Sequence, residues 1–495
     1  MNPMTESRPG SGLSLLDGLI CLFLLLPLLL FCAWFKWPFA IGLAALALFG
    51  FYKAMEGVRL RTFEVSRKAV VAICLLALAW TALSGVGHIF YANADWVTRD
   101  AVLRDLVATP WPPSYETDGD FALILRAPIA YYLPAAVVGS LLGLQVADIV
   151  LYLWTVAGFV LFVCAATTLF STRRQRVICC AVLVGFGGLD LLGYALLDGA
   201  IPKVGQHIEW WANFAQYSSN STLLFWVPNH ALPGWLGTML LLRHWRKPEL
   251  ARVTPLLFAT IPLWAPLPAL GLVPFFLFGL DWRRDYKILF SIQGLLPWLA
   301  LALVVARYIT LDSGAIPRGW APTYFVDLET FGVVYALFCL MEFGVLALVL
   351  ARLRVYDVPL KISVAFLLVL PFYRFGQGND LVMRASIPAL TILALATVRP
   401  LAEHARAGWR YALIAVLVLG AAGAAQEPLR ALIMPRWALT GQTLGQISSQ
   451  GRATYRGLLP PNYVARLNQP GLMTLLRPPT LVQPDRAAAA SKAER

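Results

Sequence analysis

Charge is scarce in this chain. Asp, Glu, Lys and Arg together make up only 14% of the 495 residues, and just 27 of them are acidic. A soluble domain would need more to cover its surface, so a soluble enzyme or binding module is excluded. Cysteine is sparse and misplaced for cross-linking. Cys21, Cys32, Cys74, Cys164, Cys179, Cys180 and Cys339 all lie in apolar runs, and none lies in a polar loop. That excludes a disulfide framework and a cysteine metal site. Internal repeats are lacking too.

Hydrophobicity is what the chain has in plenty: 59% apolar residues and a mean hydropathy of +0.67. Apolar runs recur along almost the whole length, each near the ~20 residues that cross ~30 Å of hydrocarbon. Backbone groups in lipid must bond within their own segment, and these runs do not alternate in polarity, so they read as helices. The spans assigned are residues 14–35, 37–52, 69–90, 145–171, 177–197, 229–243, 253–265, 267–281, 285–308, 328–352, 360–374, 387–398 and 409–425. The expected fold class is an all-α polytopic membrane protein with about 13 transmembrane helices. The first run is too long for a signal-peptide core and no small-residue cleavage site follows it, so 1–68 reads as a retained transmembrane hairpin and its loop. Residues 253–280 are broken by Pro255, Pro262, Pro266, Pro268 and Pro274 and read as a short or re-entrant hairpin.

A net charge of +13 invites a nucleic-acid reading, but its distribution rejects one. Lys and Arg cluster on every second loop, in residues 53–68, 173–176, 243–252, 283–287, 352–361 and 399–410. This is the positive-inside pattern, which places those loops and the amino terminus in the cytoplasm. The core is residues 69–425, with a first external loop over 92–144 and a polar external tail over 426–495. Within the tail, 444–476 reads as short helices on the external face, and the Pro- and Ala-rich end as disordered.

Asp95 opens the first external loop in Asn93-Ala94-Asp95-Trp96. A carboxylate at a membrane helix mouth suits general-base work, with Trp96 as an interfacial anchor; the alternative is that Asp95 caps the helix 96–107. Arg99, Asp100 and Arg104 have ion-pairing spacing and read as a solvated network. Glu116, Asp118 and Asp120 flank Gly119 and read as a turn, or as oxygen ligands for a divalent cation. The second external loop carries His207, Glu209, Asn229 and His230 among tryptophans, a mixture that suits sugar rings but is also common at any membrane interface. His88 joins His207 and His230 on that side, without the close spacing of a metal site. Arg374 and Arg384 are cations on the external side, against the general rule, and suit a lipid phosphate; pairing with Asp380 or Asp95 is the alternative. Asp190 and Glu342 lie inside spans, where carboxylates tend to be functional.

Taken together, the chain resembles the GT-C superfamily of membrane glycosyltransferases. The likeness rests on Asp95, on Ala127-Pro128-Ile129-Ala130-Tyr131-Tyr132-Leu133 beside the family's Pro-Pro-Leu-Tyr-Tyr element, on a span closing at Arg173, Arg174 and Arg176, and on the 253–280 hairpin. It departs in having Trp96 where a second acid is common, and in two extra amino-terminal spans. The resemblance implies transfer of a sugar from a polyprenyl-phosphate donor to a lipid, glycan or protein acceptor, with inversion, on the periplasmic face of a bacterial inner membrane. It implies Asp95 as base and a cation such as Arg384 on the phosphate; the residues themselves, in a chain whose 198–228 loop matches no motif of the family, add Arg374 on the phosphate and Trp96, Tyr131, His207, Glu209, Asn229, His230 and Asp380 as expected substrate contacts. The alternatives are a polymerase or ligase of polyprenyl-pyrophosphate glycans, and a lipid or glycan flippase.

Overall fold

The structure, a computed structural model, describes residues 12–56, 58, 64–116, 123–126, 128–403, 407–449, 459, 461–467 and 470–483. It is 71% helical. Helix α1 (Leu15–Phe31) begins on a capping box in which Ser14 and Asp17 satisfy each other's backbone N–H groups. After a 3-10 turn comes α2 (Trp37–Ala54). The two helices part company. α1 lies in the centre, while α2 lies at the periphery with an outward face of exposed apolar side chains. Helix α3 (Arg67–Leu83) ends well before residue 90, because Gly85 and Gly87 adopt positive φ and turn the chain.

The first long loop, after α3, holds α4 (Asp95–Ala108), strands β1 (Pro113–Tyr115) and β2 (Leu123–Leu125), and α5 (Leu133–Leu142). Next come α6 (Leu144–Thr168), the broken pair α7 (Arg173–Gly185) and α8 (Asp190–Asp198), then α9 (Asn220–Trp226) and α10 (Pro228–Arg243). α11 (Pro248–Trp264) and α12 (Pro266–Gly279) form a hairpin that turns on Ala265 alone. They lead to α13 (Trp282–Leu289), α14 (Ile292–Ile309) and strand β3 (Arg318–Trp320). α15 (Leu328–Cys339) and α16 (Val345–Arg352) are joined through a π-helical turn, and α17 (Val358–Val369) precedes β4 (Tyr373–Phe375). The chain continues through α18 (Asp380–Ala385), α19 (Ile387–Ala396), α20 (Val398–Ala402), α21 (Ala407–Ala424) and α22 (Gln426–Ile433). α23 (Leu444–Ser449), β5 (Val464–Arg466), α24 (Pro470–Leu475) and β6 (Thr480–Leu481) belong to the tail.

Among the described residues, 7 helices are long and apolar enough to cross a membrane. The count of about 13 expected from the sequence is larger than this. Every predicted span does contain a helix, but α10, α12, α17 and α19 are 16, 14, 12 and 10 residues long. Prolines at their first turns set where they start, and α10 and α19 are buried along their whole length. A helix enclosed by other helices need not match the bilayer thickness.

An aromatic seam holds the centre. Phe23 of α1 stacks on Trp154 of α6 at 4.0 Å, and Trp264 of α11 packs on both. The Trp264 indole also donates to the Leu24 carbonyl at 3.1 Å. At the far end of α10, Arg243 donates to Asp17 at 2.7 Å and to Ser14 and Glu64, joining α10 to α1.

Two small sheets form among the loops and the tail, and neither was expected. One has the order β5-β2-β1-β6, so the tail flanks the first loop on both edges. The other pairs β3 with β4, setting Arg318 opposite Phe375. Strands of two or three residues show no periodicity, and these exist only because remote segments meet. Asp105 helps bring them together by accepting from the Tyr115 hydroxyl at 2.9 Å and the Leu444 N–H at 3.0 Å. The tail thus folds over the first loop, rather than forming only surface helices.

Candidate active site

One cavity of about 530 Å³ lies where α4, α10, α12, α14, α18 and the tail converge. Asp95 is the first residue of α4. The helix start is set by Asn93, whose side chain accepts from the Asp95 N–H at 3.0 Å and donates to the Phe225 carbonyl at 2.8 Å. The Asp95 carboxylate makes no cap and stays free to face the cavity, which corrects the capping alternative. Its side chain is 46% exposed and lies 3.6 Å from the Arg99 guanidinium one turn on.

Arg99 is held rigidly. It donates to Asn229 at 2.7 Å and to the Tyr132 hydroxyl at 3.3 Å, and it is buried. Asp100, Arg104 and Asp105 are buried as well, so the expected solvated network is in fact an interior one. Remote elements enclose it: Tyr132 and Asn229 hold Arg99, His88 holds Asp100, and Tyr115 of β1 and Leu444 of the tail hold Asp105. Asn229 therefore stands behind Arg99 rather than in the cavity, while its neighbour His230 lines it. His230 lies beside both Arg99 and Arg384.

Across the cavity, α18 brings a second ion pair. Arg384 meets Asp380 at 2.6 Å, with both side chains largely covered. The start of α18 is anchored by Asn379, which adopts a left-handed conformation and donates to the Phe214 carbonyl at 2.9 Å. Gly376 is required here: it has φ +87, and a Cβ at that position would lie 2.0 Å from Asp380.

Arg126 and Arg318 complete the wall. Arg126 donates to the carbonyls of Ile309 and Leu311 at the end of α14 and to Pro461 of the tail. Its own N–H bonds Tyr463 at 2.7 Å, which brings Tyr463 within electrostatic reach of both ion pairs. Burial pushes the Tyr463 phenol above its usual range. Four guanidiniums thus face two carboxylates, a formal excess of two positive charges. The Nε atoms of Arg99, Arg126 and Arg384 and Nδ1 of His230 are buried without a partner among the described residues. Buried donors of this kind ask for an acceptor, and an anion supplies several at once.

Asp95, His230, Asp380 and Arg384 are therefore brought together from the residues expected at the site. Six others lie elsewhere, Asn229 behind Arg99 among them. Trp96 is buried, and its indole donates to the Phe225 carbonyl at 3.0 Å, so it fixes α4 rather than meeting a substrate. Tyr131 is buried on Thr155 at 2.6 Å. His207 pairs with Glu427 at 2.9 Å, and Glu427 also accepts from Trp226 and Arg430. Glu209 is enclosed by Gln216, Ser219 and Thr222, where it braces the start of α9. Arg374 turns aside to the Gln377 carbonyl and lies 4.6 Å from the centre of the Tyr324 ring. Asp190 and Glu342 sit beside each other in the interior, away from the cavity. Arg126 and Arg318 were missed, although the same departure from the charge rule that singled out Arg384 applies to them.

His88, His207 and His230 occupy separate places. Among the described residues no group of three or more His, Cys, Asp or Glu is arranged for a metal ion. Asp118 and Asp120 lie outside the described residues. His88 bridges Asp100 and Asp148, each at 3.0 Å. Burial opposes its charge, but the two carboxylates outweigh that and hold its pKa up at about 10. Since the folded value exceeds the ordinary 6.5, the stabilisation is complete below 6.5 and is lost as pH rises through about 10. A His88→Gln variant should then melt lower than the native chain at pH 6, with the gap narrowing toward pH ~10.5. Melting curves across that range test this, and a gap independent of pH would contradict it.

Comparison of the chain with protein-family models, with curated proteins and with solved structures finds no match.

Proposed function

We propose that the protein is a GT-C-type glycosyltransferase of a bacterial inner membrane, with its site on the periplasmic face. It moves a sugar from a polyprenyl-phosphate donor to a lipid, glycan or protein acceptor. The observation that carries this reading is the convergence of a loosely held carboxylate, Asp95, with an excess of guanidiniums in one cavity. Asp95 takes the proton from the acceptor hydroxyl as that oxygen attacks the anomeric carbon and the carrier phosphate leaves, inverting the centre. Arg384, with Arg126 and Arg318, meets the negative charge that grows on the leaving phosphate. Arg99 orients Asp95 from 3.6 Å, and His230 supplies a further polar contact.

The test is to offer purified protein a panel of radiolabelled polyprenyl-phosphate sugars and score their consumption. Consumption of one names the sugar, and consumption of none sinks the reading. On this reading Arg384→Gln weakens donor binding by roughly 10- to 100-fold, the worth of hydrogen bonds to a charged group. Equilibrium binding of the labelled donor measures it, and unchanged affinity would remove Arg384 from the phosphate. One observation favours a second reading. Four guanidiniums exceed the charge of a monophosphate, which suits a pyrophosphate-linked donor and hence a glycan polymerase or ligase. Pyrophosphate-linked glycans in the same panel separate the two.

A further inference from the structure

A second cavity, of about 550 Å³, opens between α2, α11, α13 and α14. It lies at the other end of the molecule from the arginine-lined site. Ser291, at the start of α14, lines this cavity, and Ile309, at the end of α14, lines the first. An 18-residue helix is roughly 27 Å long, close to the hydrocarbon thickness of a bilayer. The two cavities therefore sit at opposite membrane surfaces.

Three cations, Lys53, Arg252 and Lys287, face a single carboxylate, Glu56, in this cavity. Lys53 meets Glu56 only at 3.5 Å, and Arg252 reaches the Glu56 carbonyl rather than its carboxylate. The cationic excess is thus left for a ligand. The floor is apolar and closed. Gly50 lets the Trp298 ring lie directly on α2, where a Cβ would come within 2.8 Å of it. Beside the opening, α13 alternates basic residues with Trp282 and Tyr286, which are 43% and 47% exposed. That is the pattern of a helix lying in the headgroup layer. Below it, Leu296, Leu299 and Leu303 of α14 and Leu48 and Phe49 of α2 turn outward, providing an apolar flank.

We propose that this cleft binds one anionic phospholipid. The phosphodiester sits among Lys53, Arg252 and Lys287, Ser291 and Gln293 offer hydrogen bonds to the glycerol headgroup, and the acyl chains lie along the exposed flank of α2 and α14. A free phosphate would use the cations but not the flank or the interfacial helix, so the lipid is the better match. The site is independent of the reaction proposed for the other surface.

Native mass spectrometry of the full-length, delipidated protein tests the assignment. Phosphatidylglycerol, phosphatidylcholine with the same acyl chains, and inorganic phosphate are titrated separately. Phosphatidylglycerol should bind at least ~5-fold more tightly than phosphatidylcholine, and more tightly than phosphate. The combined variant Lys53→Gln, Arg252→Gln, Lys287→Gln should weaken phosphatidylglycerol binding by roughly 100-fold, and each single variant by about 5-fold. The single variants keep the test open if the combined one misfolds. A control that removes three charges elsewhere, Arg352→Gln, Arg354→Gln, Lys361→Gln, should bind as the native chain does. Equal binding of the two lipids, phosphate bound as tightly as phosphatidylglycerol, or an equal loss in the control would each overturn the proposal.

Discussion

Asp95→Asn should lower sugar-transfer turnover by roughly 10²- to 10⁴-fold, the usual contribution of a positioned general base. The amide keeps the shape of the carboxylate, and Arg99 keeps its bonds to Asn229 and Tyr132, so the fold should hold. Donor affinity should stay within a few-fold, because the other guanidiniums of the cavity are untouched. The effect thus falls on kcat, as it does when only the transition state loses an interaction. The other carboxylate of the cavity gives the control. Asp380 is tied to Arg384 at 2.6 Å and its side chain is only 16% exposed, whereas Asp95 lies 3.6 Å from Arg99 and is 46% exposed. Asp380→Asn frees Arg384 and so should act mainly on KM. Turnover near the native rate in Asp95→Asn, with a collapse in Asp380→Asn, would transfer the role of base to Asp380.

The largest loss of stability is expected from Arg243→Met, at about 3–5 kcal/mol, the cost of leaving a buried charge without its partner. Arg243 contacts Asp17 through two nitrogens, at 2.7 and 3.2 Å, and also bonds Thr168, Ser14 and Glu64. Asp17 is fully buried, so its carboxylate cannot turn to water when Arg243 is removed. His244 Nε2, 3.1 Å from Asp17, is the polar neighbour that remains. Adding Asp17→Asn to Arg243→Met removes the stranded charge and should return part of the loss. Denaturation of the three variants beside the native chain measures it, and a loss below ~1 kcal/mol in Arg243→Met would show that Asp17 re-pairs or stays neutral. Catalysis should be spared. Arg243 is 13 residues from His230 on α10, roughly 20 Å along the helix axis.

The sequence by itself determined that this is a helical membrane protein, because apolar runs near bilayer length have no other way to satisfy their backbone. It also placed a helix in each assigned span, and it singled out Asp95, His230, Asp380 and Arg384, whose charge or polarity departs from a lipid-facing norm. The tertiary structure alone decided the rest. Periodicity and hydropathy report what one helix can bury, not what its neighbours cover. That is why Arg99, Asp100 and Arg104 read as solvated and turned out enclosed, Arg99 against Tyr132 and Asn229 and Asp100 against His88. Likewise Trp96, Tyr131, His207 and Glu209 have the chemistry of substrate contacts, but hydrogen bonds from distant segments claim them. Arg126 and Tyr463 reach the cavity through a strand pairing between β2 and β5, segments far apart in the chain. No local signal encodes that pairing, because the free energy that forms it comes from bringing the segments together.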